Sequence, residues 1–213
     1  MNTMKRFLSL FFILLLLIGV CSCRSGVSSP SGRDAGEKKL AVVFPGAGYT
    51  IDRPLLSSSR KILEEEGYEV LCIEWNSIIK TRYDQASEAL ENINFDKYED
   101  VIFVCKSIGT EVASTYVKKH DLKVRQIWYT PLQSAFDVYG GDIEGRSIIA
   151  FIGTKDEKSN VDLIKEKAGQ LGIELHVYDD CNHAMECNDD SKNQEILDDV
   201  MKITRDYVIR KML

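Results

Sequence analysis

Val101-Ile-Phe-Val-Cys-Lys-Ser-Ile-Gly-Thr110 changes character within ten residues. Val101 to Cys105 is continuously apolar, without the alternation of a half-exposed strand, and fits a strand buried on both faces. A helix follows from about Ile108 to Lys119. The same alternation extends in both directions. Leu40-Ala-Val-Val-Phe44 is a second buried strand, broken by Pro45-Gly-Ala-Gly48. Pro54 to Glu66 reads as a helix that Gly67 ends, and Tyr68 to Trp75 as the next strand. Asp84 is suited to cap a helix whose apolar positions Ala86, Leu90 and Ile93 keep helical spacing. Val124 to Tyr129, Ser147 to Ile152 and Glu174 to Tyr178 read as strands, Val161 to Leu171 and Gln194 to Met212 as helices. No internal repeat occurs, and Thr130 to Arg146 is the one sizeable connection without a pattern. Strands alternating with helices predict a three-layer α/β/α sandwich with a mostly parallel sheet.

Ser107 stands where the central strand turns into its helix, with Gly109 two residues on. A tight strand-to-helix turn pushes such a hydroxyl out above the sheet and needs small residues two positions either side. Gly109 meets that need. Cys105 stands where glycine is usual, so from this segment alone Ser107 reads equally well as a helix cap. A nucleophilic serine also needs a base and an orienting carboxylate, and where the serine stands on such a strand-to-helix turn they follow in the chain order serine, acid, histidine. Downstream, Ile148-Ile-Ala-Phe-Ile-Gly-Thr-Lys-Asp156 is a strand ending in an acid, and Asp179-Asp-Cys-Asn-His183 follows the next strand. Three histidines exist. His120 lies near a helix end, where its charge suits the helix dipole, and His176 lies inside a strand. His183 alone lies past a strand's carboxyl end, where open α/β sheets build their sites. Asp179 and Asp180 are rival acids to Asp156.

Gly-Thr-Lys-Asp-Glu around Asp156 and Asn-His-Ala-Met-Glu around His183 resemble the acid and histidine loops of the α/β-hydrolases. Pro45-Gly-Ala-Gly48 resembles their oxyanion loop. The resemblance covers residues 40–213 and implies a short, cap-less serine hydrolase of the α/β-hydrolase type. It implies that Ser107 attacks a carbonyl carbon, His183 takes the proton and Asp156 orients the imidazole. The amides of Ile108 and Ala47 would then face the oxyanion, although the sequence does not say which amide of the Gly46–Gly48 turn points inward. No cofactor is called for. The same residues cleave esters, thioesters, amides and peptides, so they do not choose the substrate. The short Thr130–Arg146 connection suggests a small lid and an open site, hence small or surface-presented acyl substrates of a carboxylesterase-like enzyme.

Three other readings compete. Cys181, His183 and Cys187, with Asp180, could hold a metal ion, but that leaves the Ser107 turn unexplained. A noncatalytic binding lipoprotein of the same fold is kept open by the unusual Cys105 and Lys106. A dinucleotide binder fits poorly, because Pro45-Gly-Ala-Gly48 lacks the Gly-x-Gly-x-x-Gly pattern.

The N-terminus has its own chemistry. Lys5 and Arg6 precede an apolar run from Phe7 to Val20, and Cys21-Ser22-Cys23 follows. That order marks an export signal, with a simple N-terminal membrane anchor as the alternative, and the run is short for a membrane span. The segment resembles a bacterial lipoprotein signal, with residues 1–22 cleaved and Cys23 lipidated, since Ser22 suits the position before the cut better than Val20 does. Cys21 remains the alternative. Residues 23–39, rich in Ser, Gly and charge, read as a flexible spacer, and 40–213 as the domain. The resemblance implies a protein exported and lipid-anchored to the bacterial membrane, facing outward. The chain has 213 residues with 27 basic and 33 acidic side chains. Without Lys5 and Arg6 the mature charge is −8, and no basic patch interleaved with aromatics suggests nucleic acid as a partner. Cys72 and Cys105 sit in apolar runs as small hydrophobes. Cys181 and Cys187, close together in an exported chain, could be bridged. No oligomeric state is specified.

Overall fold

The structure is a computed structural model that describes residues 38–210. The proposed signal, Cys23 and most of the spacer lie outside the described residues. Six strands form one wholly parallel sheet in the order β2-β1-β3-β4-β5-β6. They are β1 (Lys39–Phe44), β2 (Tyr68–Cys72), β3 (Asp100–Lys106), β4 (Arg125–Tyr129), β5 (Ile148–Gly153) and β6 (Glu174–Tyr178). The helices are α1 (Pro54–Glu65), α2 (Arg82–Leu90), α3 (Ile108–Lys119), α4 (Gln133–Asp137), α5 (Val161–Leu171) and α6 (Asp190–Ile209).

Successive side chains of a strand point to opposite faces, and the two cores follow from that rule. Val42, Phe44, Val101, Phe103 and Cys105 pack with Ala86 and Leu90 of α2, Val117 of α3, Phe136 of α4 and Ile164 of α5. Ala41, Val43, Ile102 and Val104 face the other way, onto Leu56 and Leu63 of α1 and Val200 and Tyr207 of α6. The central strands are buried on both faces and carry no polar alternation for that reason. The edge strands β2 and β6 are less buried.

Four local expectations change. β2 stops at Cys72, not Trp75: Ile73 makes one more pairing bond to the Val43 carbonyl, and the Trp75 indole turns away to donate to the Pro45 carbonyl at 3.0 Å. Thr81, not Asp84, caps α2. Its hydroxyl accepts the Asp84 amide and donates to the Asp84 carboxylate, so Asp84 is the partner of the cap rather than the cap itself. The Thr130–Arg146 connection contains the short helix α4. α6 starts at Asp190, four residues before Gln194, with the Asp189 side chain capping it.

The strand order changes direction beside β1: β2 lies on one side of it, and β3 to β6 run on from the other. Ligand sites of open α/β sheets form outside the carboxyl ends at such a switch point. Here those ends are Phe44 and Lys106, and the residues just beyond them are Pro45–Tyr49 and Ser107.

Candidate active site

Ser107 has φ 53° and ψ −120°, a left-handed-side backbone for a residue with a Cβ, worth roughly 1–3 kcal/mol of strain. The surroundings hold it there. Its N–H donates to the Tyr129 carbonyl at 3.0 Å, and its carbonyl accepts the Thr110 amide at 2.9 Å and hydroxyl at 2.6 Å. Gly109 lets α3 approach β1: a Cβ there would lie 2.4 Å from the Phe44 carbonyl oxygen and 2.8 Å from that of Pro45. Cys105 is fully buried in the core beneath α2–α5, and burial pushes its thiol well above the usual range, which makes it a packing residue. The departure from glycine two residues before Ser107 is thereby accommodated.

Asp156 lies three residues beyond β5 and His183 five beyond β6, and the fold brings both to Ser107. The Ser107 hydroxyl lies 2.8 Å from His183 Nε2, and His183 Nδ1 lies 2.8 and 2.9 Å from the two Asp156 oxygens. With Asp156 ionised, Nδ1–H donates to it and Nε2 is left to accept from the serine. The Asp156 side chain has no exposed surface, and His183 keeps 16 % of its side chain exposed, so the imidazole bridges interior and solvent. The rival acids stand elsewhere. Asp180 pairs with Lys155 at 2.8 Å, which holds its carboxyl below the usual range, and Asp179 makes no bond to His183 among the described residues.

Two laces fix the acid loop to the histidine loop: the Lys155 amide donates to the Cys181 carbonyl, and the Asp180 amide to the Thr154 hydroxyl. Their crossing is tight at Gly153, where a Cβ would sit 2.0 Å from the Cys181 carbonyl oxygen. The Glu157 carboxylate accepts the His183 amide at 3.3 Å.

Opposite Ser107, the Gly46 amide donates to the Tyr49 carbonyl at 3.1 Å, which closes the turn and removes that amide as a donor to a ligand. The Ala47 amide has no hydrogen bond among the described residues. Ile108 opens α3, so its amide lacks a partner within the helix. Both residues line a cleft of about 660 Å³ with Ser107, His183 and, at its rim, Arg53 and Arg82.

Cys181 and Cys187 are free thiols, not a disulfide; Cys181 is buried, and the Cys187 thiol donates to the Asp189 carbonyl. Among the described residues no group of three His, Cys, Asp or Glu side chains could hold a metal ion, and both His183 nitrogens are engaged by Ser107 and Asp156. His120 caps α3, its ring 4.3 Å from that of Tyr116. His176 stacks on Phe151 at 5.1 Å and pairs with Glu174.

The sequence matches no known family model and no curated protein. Its structure is similar to those of other proteins at low identity. An α/β serine hydrolase without a lid from Xanthomonas campestris superposes with a TM-score of 0.62 at 13% identity, over 85% of this chain and 88% of that one. The chain has the α/β-hydrolase fold. A protein of unknown function from Agrobacterium tumefaciens gives a TM-score of 0.66 at 12% identity, over 83% and 86% of the two chains. An esterase from Pyrococcus furiosus gives 0.60 at 12%, over 81% and 83%.

Proposed function

We propose that the protein is a serine hydrolase that cleaves small or surface-presented acyl esters through a covalent acyl-enzyme. The observation that carries this reading is the unbroken path from Ser107 Oγ through both His183 nitrogens to Asp156, made by residues 76 and 27 positions apart in the chain. Such a path is the arrangement that activates a serine. Ser107 Oγ attacks the carbonyl carbon while its proton passes to His183 Nε2, and Asp156 stabilises the imidazolium. The amides of Ile108 and Ala47 receive the developing oxyanion, each donor lowering the barrier by about 3 kcal/mol. His183 then protonates the departing alcohol. Water, deprotonated by His183, attacks the acyl carbon, and the proton goes to Ser107 Oγ as the ester bond breaks.

The open cleft and the short Thr130–Arg146 connection support small or exposed acyl groups. Turnover of p-nitrophenyl esters of graded acyl length tests the reading. The wild type hydrolyses the short esters, and Ser107→Ala and His183→Gln lose at least about a thousandfold in kcat. Variants that keep the wild-type rate refute it. We propose further, from the N-terminal sequence, that the enzyme is exported and held at the outer face of a bacterial membrane by lipid on Cys23.

A further inference from the structure

Lys106 ends β3 one residue before Ser107, and only 1% of it is exposed. A buried cation needs partners. Its Nζ donates to the Thr130 hydroxyl at 2.5 Å and to the His183 carbonyl at 2.8 Å, and it lies 4.9 Å from the centre of the Tyr49 ring. Asp156 and Glu157 are the anions acting on it. Desolvation outweighs them and lowers its pKa to about 7. As ammonium or as amine, it keeps a proton for the His183 carbonyl.

The two ends of this bond matter. The strand that delivers Ser107 also grips the backbone of the residue whose ring must meet Ser107. Three other contacts hold His183: Asp156 at Nδ1, the Glu157 carboxylate at the amide, and the Ser107 hydroxyl at Nε2. The last disappears halfway through the reaction. Once Oγ is esterified it has no proton to donate, yet the imidazole must then stay in place to deprotonate water. From β3, the Lys106 bond is the hold that survives acylation.

We propose that Lys106 is a positioning residue for deacylation: its bond to the His183 carbonyl keeps the imidazole at the acyl-enzyme after the serine hydrogen bond is gone. In that step the water oxygen bonds to the acyl carbon as its proton passes to Nε2. The carbon–Oγ bond then breaks, and the proton returns to Oγ. Lys106 exchanges no proton with the reacting atoms.

The inference rests on the serine hydrolase reading, and one experiment separates the two. Full-length wild type, Lys106→Met and Thr130→Val are compared on p-nitrophenyl butyrate by steady-state and stopped-flow kinetics, with a urea unfolding curve for each. kcat/KM reports acylation, whereas kcat reports deacylation, the slower step once a leaving group as good as p-nitrophenolate has departed in acylation. In Lys106→Met, kcat is expected to fall about tenfold or more, the scale of a sub-ångström misplacement. kcat/KM falls several-fold less, and the burst of p-nitrophenol grows as acyl-enzyme accumulates. Thr130→Val, which leaves Lys106 with one anchor fewer, shifts the same ratio less; if Lys106→Met does not fold, this variant carries the test. Equal falls in kcat and kcat/KM, or no change in either, overturn the role of Lys106 and leave the hydrolase reading standing. No turnover in the wild type overturns both.

Discussion

Gly109→Ala should reverse the usual sign of a glycine-to-alanine change within a helix. Alanine in place of glycine ordinarily stabilises a helix by up to about 1 kcal/mol, through propensity and a less free unfolded chain. At Gly109 the new methyl would stand 2.4 Å from the Phe44 carbonyl oxygen, 2.8 Å from that of Pro45 and 2.9 Å from the Phe44 carbonyl carbon. All three are backbone atoms, so no side chain can swing aside. Reaching ordinary contact requires α3 to retreat from β1 by roughly 1 Å. Overpacking of this kind costs about 1–3 kcal/mol, and after a helix gain of about 1 kcal/mol a net loss of up to about 2 kcal/mol remains. For a domain of this size that lowers Tm by about 2–4 °C per kcal/mol. The retreat also carries Ser107 and the Ile108 amide away from Ala47, a misplacement that costs about a hundredfold in kcat. Gly169 in α5 is the control, because a Cβ there meets nothing within 4 Å; Gly169→Ala should gain up to about 1 kcal/mol and keep full activity. Thermal unfolding followed by circular dichroism, with ester turnover on the same samples, decides the matter. If Gly109→Ala is as stable and as active as Gly169→Ala, the close approach at the Ser107 turn is not what that position requires.

Two further outcomes follow from other residues. Lys106 titrates near 7 in the folded chain against 10.5 ordinarily, so between those values the unfolded chain binds a proton that the folded one lacks, and stability rises with pH. The wild type should therefore gain in urea midpoint from about pH 7 to about pH 9, more than Lys106→Met does; parallel curves for the two would refute the lowered pKa of Lys106. Cys23→Ala should abolish metabolic labelling by a clickable fatty acid and release the protein from membranes, and label lost only in Cys21→Ala would move the lipid two residues earlier.

The alternation of strand and helix was legible because buried parallel strands have no polar face to hide: Val101–Cys105 and Leu40–Phe44 announce themselves. Ser107, Asp156 and His183 were legible as the serine, acid and histidine that follow strand ends in one order. Short or tertiary features were not. α4 spans five residues after Pro131, too few for a helical period to emerge. The end of β2 depends on the Trp75 indole finding the Pro45 carbonyl, a contact no local pattern contains. Gly153 looks like any strand-end glycine until the Cys181 carbonyl is seen against it. Lys106 carried a signal, a charge at the end of a wholly apolar strand run, but its partners Thr130 and His183 lie 24 and 77 residues away. The proximity of Cys181 and Cys187 suggested a bridge, yet Cys181 turns into the interior while Cys187 bonds to its own loop.

The most direct measurement of the central claim is the mass of the chain after reaction with a fluorophosphonate, with the modified peptide located by fragmentation. The account predicts one adduct, on Ser107, absent from Ser107→Ala and formed far more slowly in His183→Gln, because the hydroxyl is nucleophilic only when its proton has somewhere to go. An adduct on another residue, or a Ser107→Ala protein labelled as fast as wild type, would contradict it.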